Sequence, residues 1–170
     1  GSVVKAVNHV SFTLSRGRSL GLVGETGAGK TSTALALMRL LPDRVSHVPN
    51  GEIYLKGDNI MAVPESHMKL MRGEIISMIF QDPMTALNPI MTVGDQILEA
   101  VKIHDTQHLS KAELERRVEE VLELVGIPAQ RKGEYPHQFS GGMKQRVVIA
   151  IALACSPDIL IADEPTTALD

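Results

Sequence analysis

Apolar residues alternate or cluster in two short segments near the start of the chain, Val10 to Leu14 and Ser19 to Val23. The segment between them, Ser15 to Arg18, contains a glycine and suits a tight turn. This pattern predicts two antiparallel strands joined by a short connection. A glycine-rich loop follows the second strand, and apolar residues then recur at helical spacing as far as Pro42. The first quarter is therefore predicted to be strand, strand, loop and helix.

The rest of the chain alternates strand and helix patterns. Short apolar runs predict strands at Glu52 to Leu55, Ile75 to Phe80 and Ile159 to Ala162. Amphipathic spacing predicts helices at Thr92 to His104 and Ser110 to Val125, and a further helix is predicted after the glycine pair Gly141-Gly142. Ser110 and Glu113 have the spacing of a capping box, and Gly126 is placed to end that helix. Strands separated by helices predict an α/β fold with a partly parallel sheet, whose ligand crevice lies at the carboxyl ends of the strands.

Size and charge narrow the classes of function. A chain of 170 residues with 44% hydrophobic residues is expected to form one globular domain spanning residues 1–170. Its net charge of −3 does not predict the basic surface that binds a nucleic-acid backbone. The longest apolar run, Val147 to Cys155, is much shorter than the roughly 20 residues of a membrane-spanning helix.

The loop after the second predicted strand carries the strongest chemical signal. It matches G-x-x-x-x-G-K-[ST] at every fixed position and lies between a strand and a helix, as phosphate binding by this motif requires. Its glycines let successive backbone N–H groups face inward, next to the positive end of the following helix. Lys30 is expected to reach the β- and γ-phosphates, Thr31 to bind Mg²⁺, and Ser32 to contact the α-phosphate. The predicted ATP-binding residues here are Gly24, Glu25, Thr26, Gly27, Ala28, Gly29, Lys30, Thr31 and Ser32.

Three further polar residues lie at predicted strand ends. Asp163 and Glu164 follow a strand that we expect to be buried, so that Asp163 belongs to the Mg²⁺ site and Glu164 is the candidate general base for the attacking water. Gln81 follows another strand, near where metal and water would meet. Without the phosphate loop, a solvated turn and an exposed loop glutamine would be the simpler interpretations. The predicted catalytic residues are thus Glu164 and Gln81, and the predicted metal ligands are Thr31, Gln81 and Asp163.

A second phosphate-binding helix start is predicted at Ser140. A plain helix cap explains the serine but not Gly141 and Gly142, because each glycine costs a helix interior about 1 kcal/mol. Close approach of a ligand to the backbone explains both glycines. We therefore predict that Ser140, Gly141 and Gly142 bind nucleotide.

With these elements in this order, almost the whole chain resembles the ATPase subunits of ATP-binding cassette (ABC) transporters. Gly24 to Thr31 is similar to Walker A, Gln81 to the Q-loop glutamine, Ser140 to Gly142 to the family signature, and Asp163-Glu164 to Walker B; the D-loop corresponds to Ala168-Leu169-Asp170. Phe80 to Pro89 and Tyr135 to Met143 resemble the oligopeptide, dipeptide and nickel importer group. Met143 departs from the glutamine found in many relatives, although it leaves the backbone N–H groups in place.

The resemblance implies a fold and a set of partners. The implied fold is a P-loop NTPase core with a mixed sheet, an N-terminal antiparallel β part and a helical subdomain at approximately residues 85–140 that touches the permease. It implies two ATPase subunits, identical or different, that sandwich two ATP molecules, and it implies permease subunits and, indirectly, an extracytoplasmic solute-binding protein. The subunit would be peripheral, on the cytoplasmic face of the membrane, with ATP and Mg²⁺ as cofactors and no nucleic acid.

The resemblance also predicts a C-terminally truncated fold, because the strand carrying the family's switch histidine would follow Asp170 and the adenine-stacking aromatic would precede Val3. The main hypothesis is an ATPase that powers uptake of oligopeptides, dipeptides or related solutes. Two alternatives stay open from the sequence: an ABC-type ATPase of translation or DNA repair, and a nucleotide-binding fragment that does not turn ATP over.

Overall fold

The first segment of the chain contains the predicted turn but not the predicted strands. The computed structural model of the protein describes residues 4–80 and 82–165. Arg18 N–H donates to the carbonyl of Ser15 over 3.1 Å, and Gly17 takes a left-handed φ of 72°. Neither predicted strand, 10–14 or 19–23, pairs with any described segment, and the side chains there are exposed. The strand prediction is wrong here because a strand exists only where its backbone groups find a ladder partner.

Helix α1, Lys30–Leu37, begins directly after the glycine-rich loop. The sequence pattern predicted apolar positions as far as Leu41, but the regular helix ends at Leu37, and the N–H of the following Met38 bonds back to the carbonyl of Ala34. Ala34 and Met38 are the buried residues of this segment. The helix is therefore confirmed, with an earlier end than the apolar pattern indicated.

A small hairpin follows, formed by β1 (Tyr54–Leu55) and β2 (Asp58–Asn59). The two strands pair antiparallel, and the turn residues Lys56 and Gly57 both have positive φ, 53° and 94°. Two positive φ values are typical of the type I′ turn that matches the twist of a two-residue hairpin. The predicted strand at 52–55 is confirmed in its second half, whereas β2 was not predicted.

The chain divides into two compact units, Gly1–Val63 and Pro64–Asp170. The second unit begins with α2, Glu65–Glu74, which the sequence analysis did not predict. Its regular path breaks at Arg72 and Gly73, where Gly73 has a φ of 94° and a Cβ would lie 2.4 Å from Nε2 of His104. The backbone angle therefore favours glycine at this kink, and a side chain here would also have to displace the His104 ring.

The second unit contains a parallel strand pair. Strand β3, Ile76–Ile79, runs beside β4, Ile159–Ala162, with Ile76 opposite Ile159 and Ile79 opposite Ala162. Both strands and their parallel pairing agree with the sequence analysis. Their burial differs, because all four residues of β3 are buried while β4 alternates between half-buried and exposed positions. The expectation of a buried strand before Asp163 is therefore wrong for the described residues, since helices of this unit pack against β3 whereas the main described contacts of β4 are with β3.

Four further α-helices follow in the described part of this unit: α3 (Pro83–Ala86), α4 (Val93–Ile103), α5 (Lys111–Leu124) and α6 (Gly141–Leu153). Each of the last three starts at a hydroxyl N-cap, at Thr92, Ser110 and Ser140. The capping box between Ser110 and Glu113 is complete, and Gly126 follows α5 with a φ of 74°. Both predicted helix boundaries are thus confirmed.

Helices α4, α5 and α6 share one apolar core. Its members include residues with no exposed surface, among them Val93, Ile97, Leu122, Val147 and Ala150. Phe139, directly before the signature serine, is also part of this core at 5% exposure. Two short 3₁₀ helices, Ala129–Gly133 and Pro136–Gln138, connect α5 to α6. The start of α6 is therefore anchored by apolar packing immediately before it in the chain.

Candidate nucleotide site

The glycine-rich loop of the first unit is curled at its glycines, although the strand predicted directly before it does not form in the described residues. Gly27 and Gly29 have φ values of 84° and 85°, in the left-handed region that side chains strain. Ala28 N–H closes a turn onto the carbonyl of Glu25 over 3.1 Å. A Cβ on Gly24 would lie 3.0 Å from the Cβ of Ala28, which is tighter than ordinary contacts. The glycines of this loop therefore serve its own curvature before any ligand is considered.

Lys30 lies over the loop that precedes it. Its Nζ donates to the carbonyl of Gly24 at 2.7 Å and to that of Glu25 at 3.1 Å. An ammonium group has three N–H donors, and these bonds use two of them. The lysine charge is thus held at the mouth of the loop by residues five and six positions away.

The helix that follows presents its positive end at the same place. Gly29 is the N-cap of α1, and no described side chain makes a capping hydrogen bond there. Thr33 closes the first turn, because its N–H and Oγ1 both donate to the carbonyl of Gly29, at 2.8 and 2.9 Å. An uncapped helix start next to a lysine ammonium is a favourable site for an anion.

The carboxylates predicted for the metal site, Asp163, and for catalysis, Glu164, lie at the end of the parallel strand pair. Asp163 N–H donates to the carbonyl of Ile79 at 3.0 Å, so the ladder continues one residue past β4. Glu164 follows with a φ of 48°, an uncommon backbone conformation for a residue with a side chain. Phe80, exposed to 44%, follows β3 at the same edge. The carboxyl ends of the two strands thus meet here.

Gln81 and the segment that resembles the D-loop, Ala168-Leu169-Asp170, lie outside the described residues. The donor types that the sequence assigned to Mg²⁺ are a hydroxyl, an amide oxygen and a carboxylate, from Thr31, Gln81 and Asp163. Oxygen donors of these kinds fit that hard cation. The phosphate loop belongs to the first unit, and Asp163 and Glu164 belong to the second.

The signature serine has a clear structural role. Ser140 Oγ accepts from the N–H of Met143 at 3.3 Å, and its carbonyl accepts from Lys144 N–H at 2.9 Å. Gly141 is exposed, and no described heavy atom lies within 4 Å of the position that its Cβ would take. Packing within the described chain therefore does not require glycine at 141, which leaves room for another molecule at the start of α6.

The sequence analysis missed the side chains that support this turn. The guanidinium carbon of Arg131 lies 4.3 Å from the ring centroid of Phe139, and its Nη1 lies 3.3 Å from Sδ of Met143. Glu134 holds the other side of the guanidinium through its carboxylate. No sequence motif identifies this cluster, because a basic and an acidic residue three positions apart are common on exposed segments.

With this geometry in place, comparison with known proteins decides the family. The ABC transporter family profile matches residues 7–167. The chain belongs to the ABC transporter family. Its fold is an ABC ATPase cassette, and membership of this family implies an ATP-binding site. The importer-group resemblance noted from the sequence is confirmed by the curated relatives.

Those relatives are peptide-transport ATP-binding proteins. The chain is 52% identical to a probable peptide ABC transporter ATP-binding protein of Sinorhizobium fredii, with 99% of the chain and 50% of the relative covered. It is 52% identical to the dipeptide transport ATP-binding protein of Bacillus subtilis, covering 100% of the chain and 51% of that protein. For the oligopeptide transport ATP-binding protein of Salmonella typhimurium the identity is 51%, with 98% and 49% covered. The chain spans about half the length of the curated relatives it matches.

A solved cassette gives the structural comparison. A dimeric ATP-binding cassette in a post-hydrolysis state with ADP and Pi has a TM-score of 0.74 to this chain and 28% sequence identity. The match covers 86% of this chain and 60% of the solved one. No helix within the described ranges is long and apolar enough to cross a bilayer.

Proposed function

We propose that this chain forms the nucleotide-binding part of an ATP-hydrolysing subunit of an ABC importer for oligopeptides, dipeptides or related solutes. The observation that carries the proposal is the curled loop with the Lys30 ammonium bonded to the carbonyls of Gly24 and Glu25, beside the uncapped start of α1. Peptide-transport relatives at about half identity support the importer class. Each of them is named as an ATP-binding protein.

The phosphate loop binds the nucleotide through backbone and charge. Residues 24–32 supply inward N–H groups, and Lys30 places a positive charge on the β- and γ-phosphates. Thr31, Gln81 and Asp163 would hold Mg²⁺, which when bound neutralises charge on the phosphate oxygens. Oxygen donors at Thr31, Gln81 and Asp163 match Mg²⁺. The segment from Gly27 to Ser32 contains no Asp or Glu whose carboxylate would compete with them for the ion.

Hydrolysis needs a group that takes a proton from the attacking water. Glu164 is our candidate, because it follows the last ladder bond of the strand pair, where Asp163 N–H meets the carbonyl of Ile79. A base held at the end of a paired strand keeps its distance from the water nearly constant, as general-base catalysis requires. Gln81 follows Phe80, the first residue past the neighbouring strand, and we assign its amide to orienting water or metal at this same edge.

The second nucleotide contact comes from Ser140, Gly141 and Gly142, which we assign to the ATP held by a partner ATPase subunit. The open space beside Gly141 and the positive end of α6 support this assignment. Closing of two such subunits on ATP, and reopening after hydrolysis, would drive permease subunits that receive solute from an extracytoplasmic binding protein. Residues 85–140 are the proposed permease-facing subdomain. The subunit would then be peripheral, on the cytoplasmic face of the membrane.

Replacement of Glu164 by glutamine tests the assigned chemistry. In the full-length protein, Glu164→Gln is expected to keep MgATP affinity and to lower kcat by at least about 100-fold, the scale of a lost general base. Asp158→Asn, at the opposite end of β4, removes a carboxylate charge without touching the site and serves as the control. Phosphate release and nucleotide titration measure the two quantities. Hydrolysis at the parent rate in Glu164→Gln would remove this residue from the mechanism.

A further inference from the structure

A cluster centred on Arg131 lies directly beside residues 139–143, which contain Ser140 and the first turn of α6 and are called the signature turn from here on. The Arg131 Nε donates to both carboxylate oxygens of Glu134, at 2.9 and 3.0 Å, and Nη2 donates to one of them at 2.5 Å. Nη2 also reaches the carbonyl of Gln138 at 3.3 Å. The guanidinium plane covers the ring of Phe139, and Nη1 lies 3.3 Å from the sulfur of Met143. One side chain therefore contacts residues on both sides of Ser140.

Glu134, the acidic partner of Arg131, is hydrogen-bonded to the first residue of α4. The backbone carbonyl of Glu134 accepts from Val93 N–H, the first residue of that helix, at 2.9 Å. Gly94 lies so close to the neighbouring backbone that a Cβ would come within 2.7 Å of the carbonyl of Lys132. The hydrogen bond from Arg131 lowers the pKa of the Glu134 carboxyl, which keeps that partner ionised. The cluster is thus attached to a buried helix start, since Val93 has no exposed surface.

Met143 connects the cluster to the serine itself. Its sulfur accepts from Arg131, and its backbone N–H donates to Ser140 Oγ. The serine hydroxyl is therefore oriented by the same residue that the guanidinium contacts. This gives Met143 a defined local role, because a thioether sulfur is a soft acceptor on a flexible stem.

We infer that Arg131 is a positioning residue that holds Ser140 and the start of α6 in the orientation needed to bind a partner subunit's nucleotide. The inference rests on the proposed function, because it concerns the signature half of the ATP sandwich. Arginine suits this role since a planar guanidinium can bind a carboxylate in fork geometry and stack on an aromatic ring at the same time. Lysine keeps the charge but has neither the fork nor the plane.

The test measures ATP-dependent dimerisation in the full-length protein carrying Glu164→Gln, which keeps ATP from being consumed. Sedimentation gives the ATP concentration at half dimerisation, and a fluorescent nucleotide gives the affinity of the monomer. Arg131→Ala is expected to raise the dimerisation midpoint about tenfold while monomer affinity stays unchanged, because a misplaced contact weakens only the step that uses it. A general loss of structure would change both quantities.

Two further variants separate positioning from charge and from stability. Arg131→Lys is expected to recover less than half of the loss, because its ammonium replaces one contact of the several. Lys132→Ala is the matched control: it removes the adjacent charge, whose Nζ bonds Glu119 of α5 at 2.6 Å and does not contact the signature turn. Its dimerisation midpoint is expected to stay within about twofold of the parent value.

The outcomes distinguish this inference from the function on which it rests. A parent that binds ATP and never dimerises contradicts a sandwich of two copies of this subunit, and the role of Arg131 in that dimer falls with it. A parent that dimerises while Arg131→Ala and Arg131→Lys both dimerise at the parent's ATP concentration overturns the inference about Arg131 alone. If Arg131→Ala does not fold, Arg131→Lys decides, and a midpoint equal to that of the parent overturns the inference.

Discussion

The two elements that we propose to bind phosphate are built in different ways. The loop before α1 takes its shape from nearby residues, since Lys30 bonds carbonyls five and six positions earlier and Ala28 closes a turn onto Glu25. The turn before α6 is held from outside, because its support leads from Arg131 through Glu134 to Val93 of α4. Its apolar neighbour Phe139 is buried in a core shared by three helices.

This difference shows that the loop before α1 depends mainly on its own residues, whereas the turn before α6 depends on the folding of the second unit. A loop shaped by local bonds keeps its conformation when distant residues change, so variants that truncate its side chains should alter ligand affinity more than stability. The turn before α6 is held by the start of α4 and by the apolar core that contains Phe139. A substitution that shifts either of them is therefore expected to shift the turn as well. We therefore expect signature function to be the more sensitive of the two to substitutions far away in the sequence.

The strongest test of this distinction is Gly29→Ala, because the backbone at Gly29 lies close to Ala6, far from the loop in sequence. The new Cβ would lie 2.3 Å from the carbonyl oxygen of Ala6, and the φ of 85° is itself unfavourable for alanine. We expect a loss of about 3 kcal/mol in unfolding free energy, combining the left-handed strain with the overlap. Urea unfolding followed by circular dichroism measures it.

Gly17→Ala is the control for Gly29→Ala, because Gly17 has a similar φ of 72° and no described atom within 4 Å of its Cβ position. Only the backbone cost of about 1 kcal/mol is expected there. Equal losses in the two variants would show that the contact with Ala6 contributes nothing, and the loop would then be local in every respect.

A second test removes the loop's charge. Lys30→Ala should weaken binding of Mg-nucleotide by about 2 kcal/mol, or roughly thirtyfold, as for loss of a hydrogen bond to a charged group. Stability should barely change, because both bonds of Lys30 go to exposed carbonyls of its own loop. Arg44→Ala, an exposed positive charge in the same unit, controls for net charge. Nucleotide titration in the full-length protein measures the affinity, and parent-like binding by Lys30→Ala would refute the phosphate site.

The smallest loss of stability is expected from the N-cap of α5, because this cap acts within one helical turn although it belongs to the second unit. Ser110→Ala removes the hydroxyl that caps Glu113 N–H and should cost about 1 kcal/mol of unfolding free energy. Thermal unfolding measures this loss. A loss as large as that of Gly29→Ala would contradict a purely local role for the cap.

The same cap predicts a pH dependence. Hydrogen bonds from Ser110 lower the pKa of the Glu113 carboxyl below its ordinary value. A carboxyl with a lowered folded pKa stabilises the fold above its unfolded pKa, and this contribution disappears as the pH falls through the folded pKa. The difference in stability between the parent and Glu113→Gln should therefore be present near neutral pH and shrink in acid. A difference that stays constant with pH would exclude the ionised cap.

Much of the fold could be predicted because its signals are local. The caps at Ser110 and Ser140, the helix end at Gly126, and the apolar runs that became β3 and β4 are all confirmed. Helix α2 was missed because its apolar positions are few and Arg72 and Gly73 interrupt it. The strands predicted at 10–14 and 19–23 were wrong because an alternating pattern supplies no ladder partner by itself.

The sequence by itself determined the phosphate loop, since glycine, lysine and threonine at fixed spacing dictate a curled backbone and a charge beside it within a few residues. It likewise determined where α5 and α6 begin, because a hydroxyl cap acts within one turn. Only the tertiary structure decided that Arg131 contacts Glu134, Phe139 and Met143, and that β3 is buried while β4 is half exposed. The physical reason is that stacking, ion pairing and burial depend on which side chains meet after the chain has folded, and no spacing along the sequence specifies those meetings.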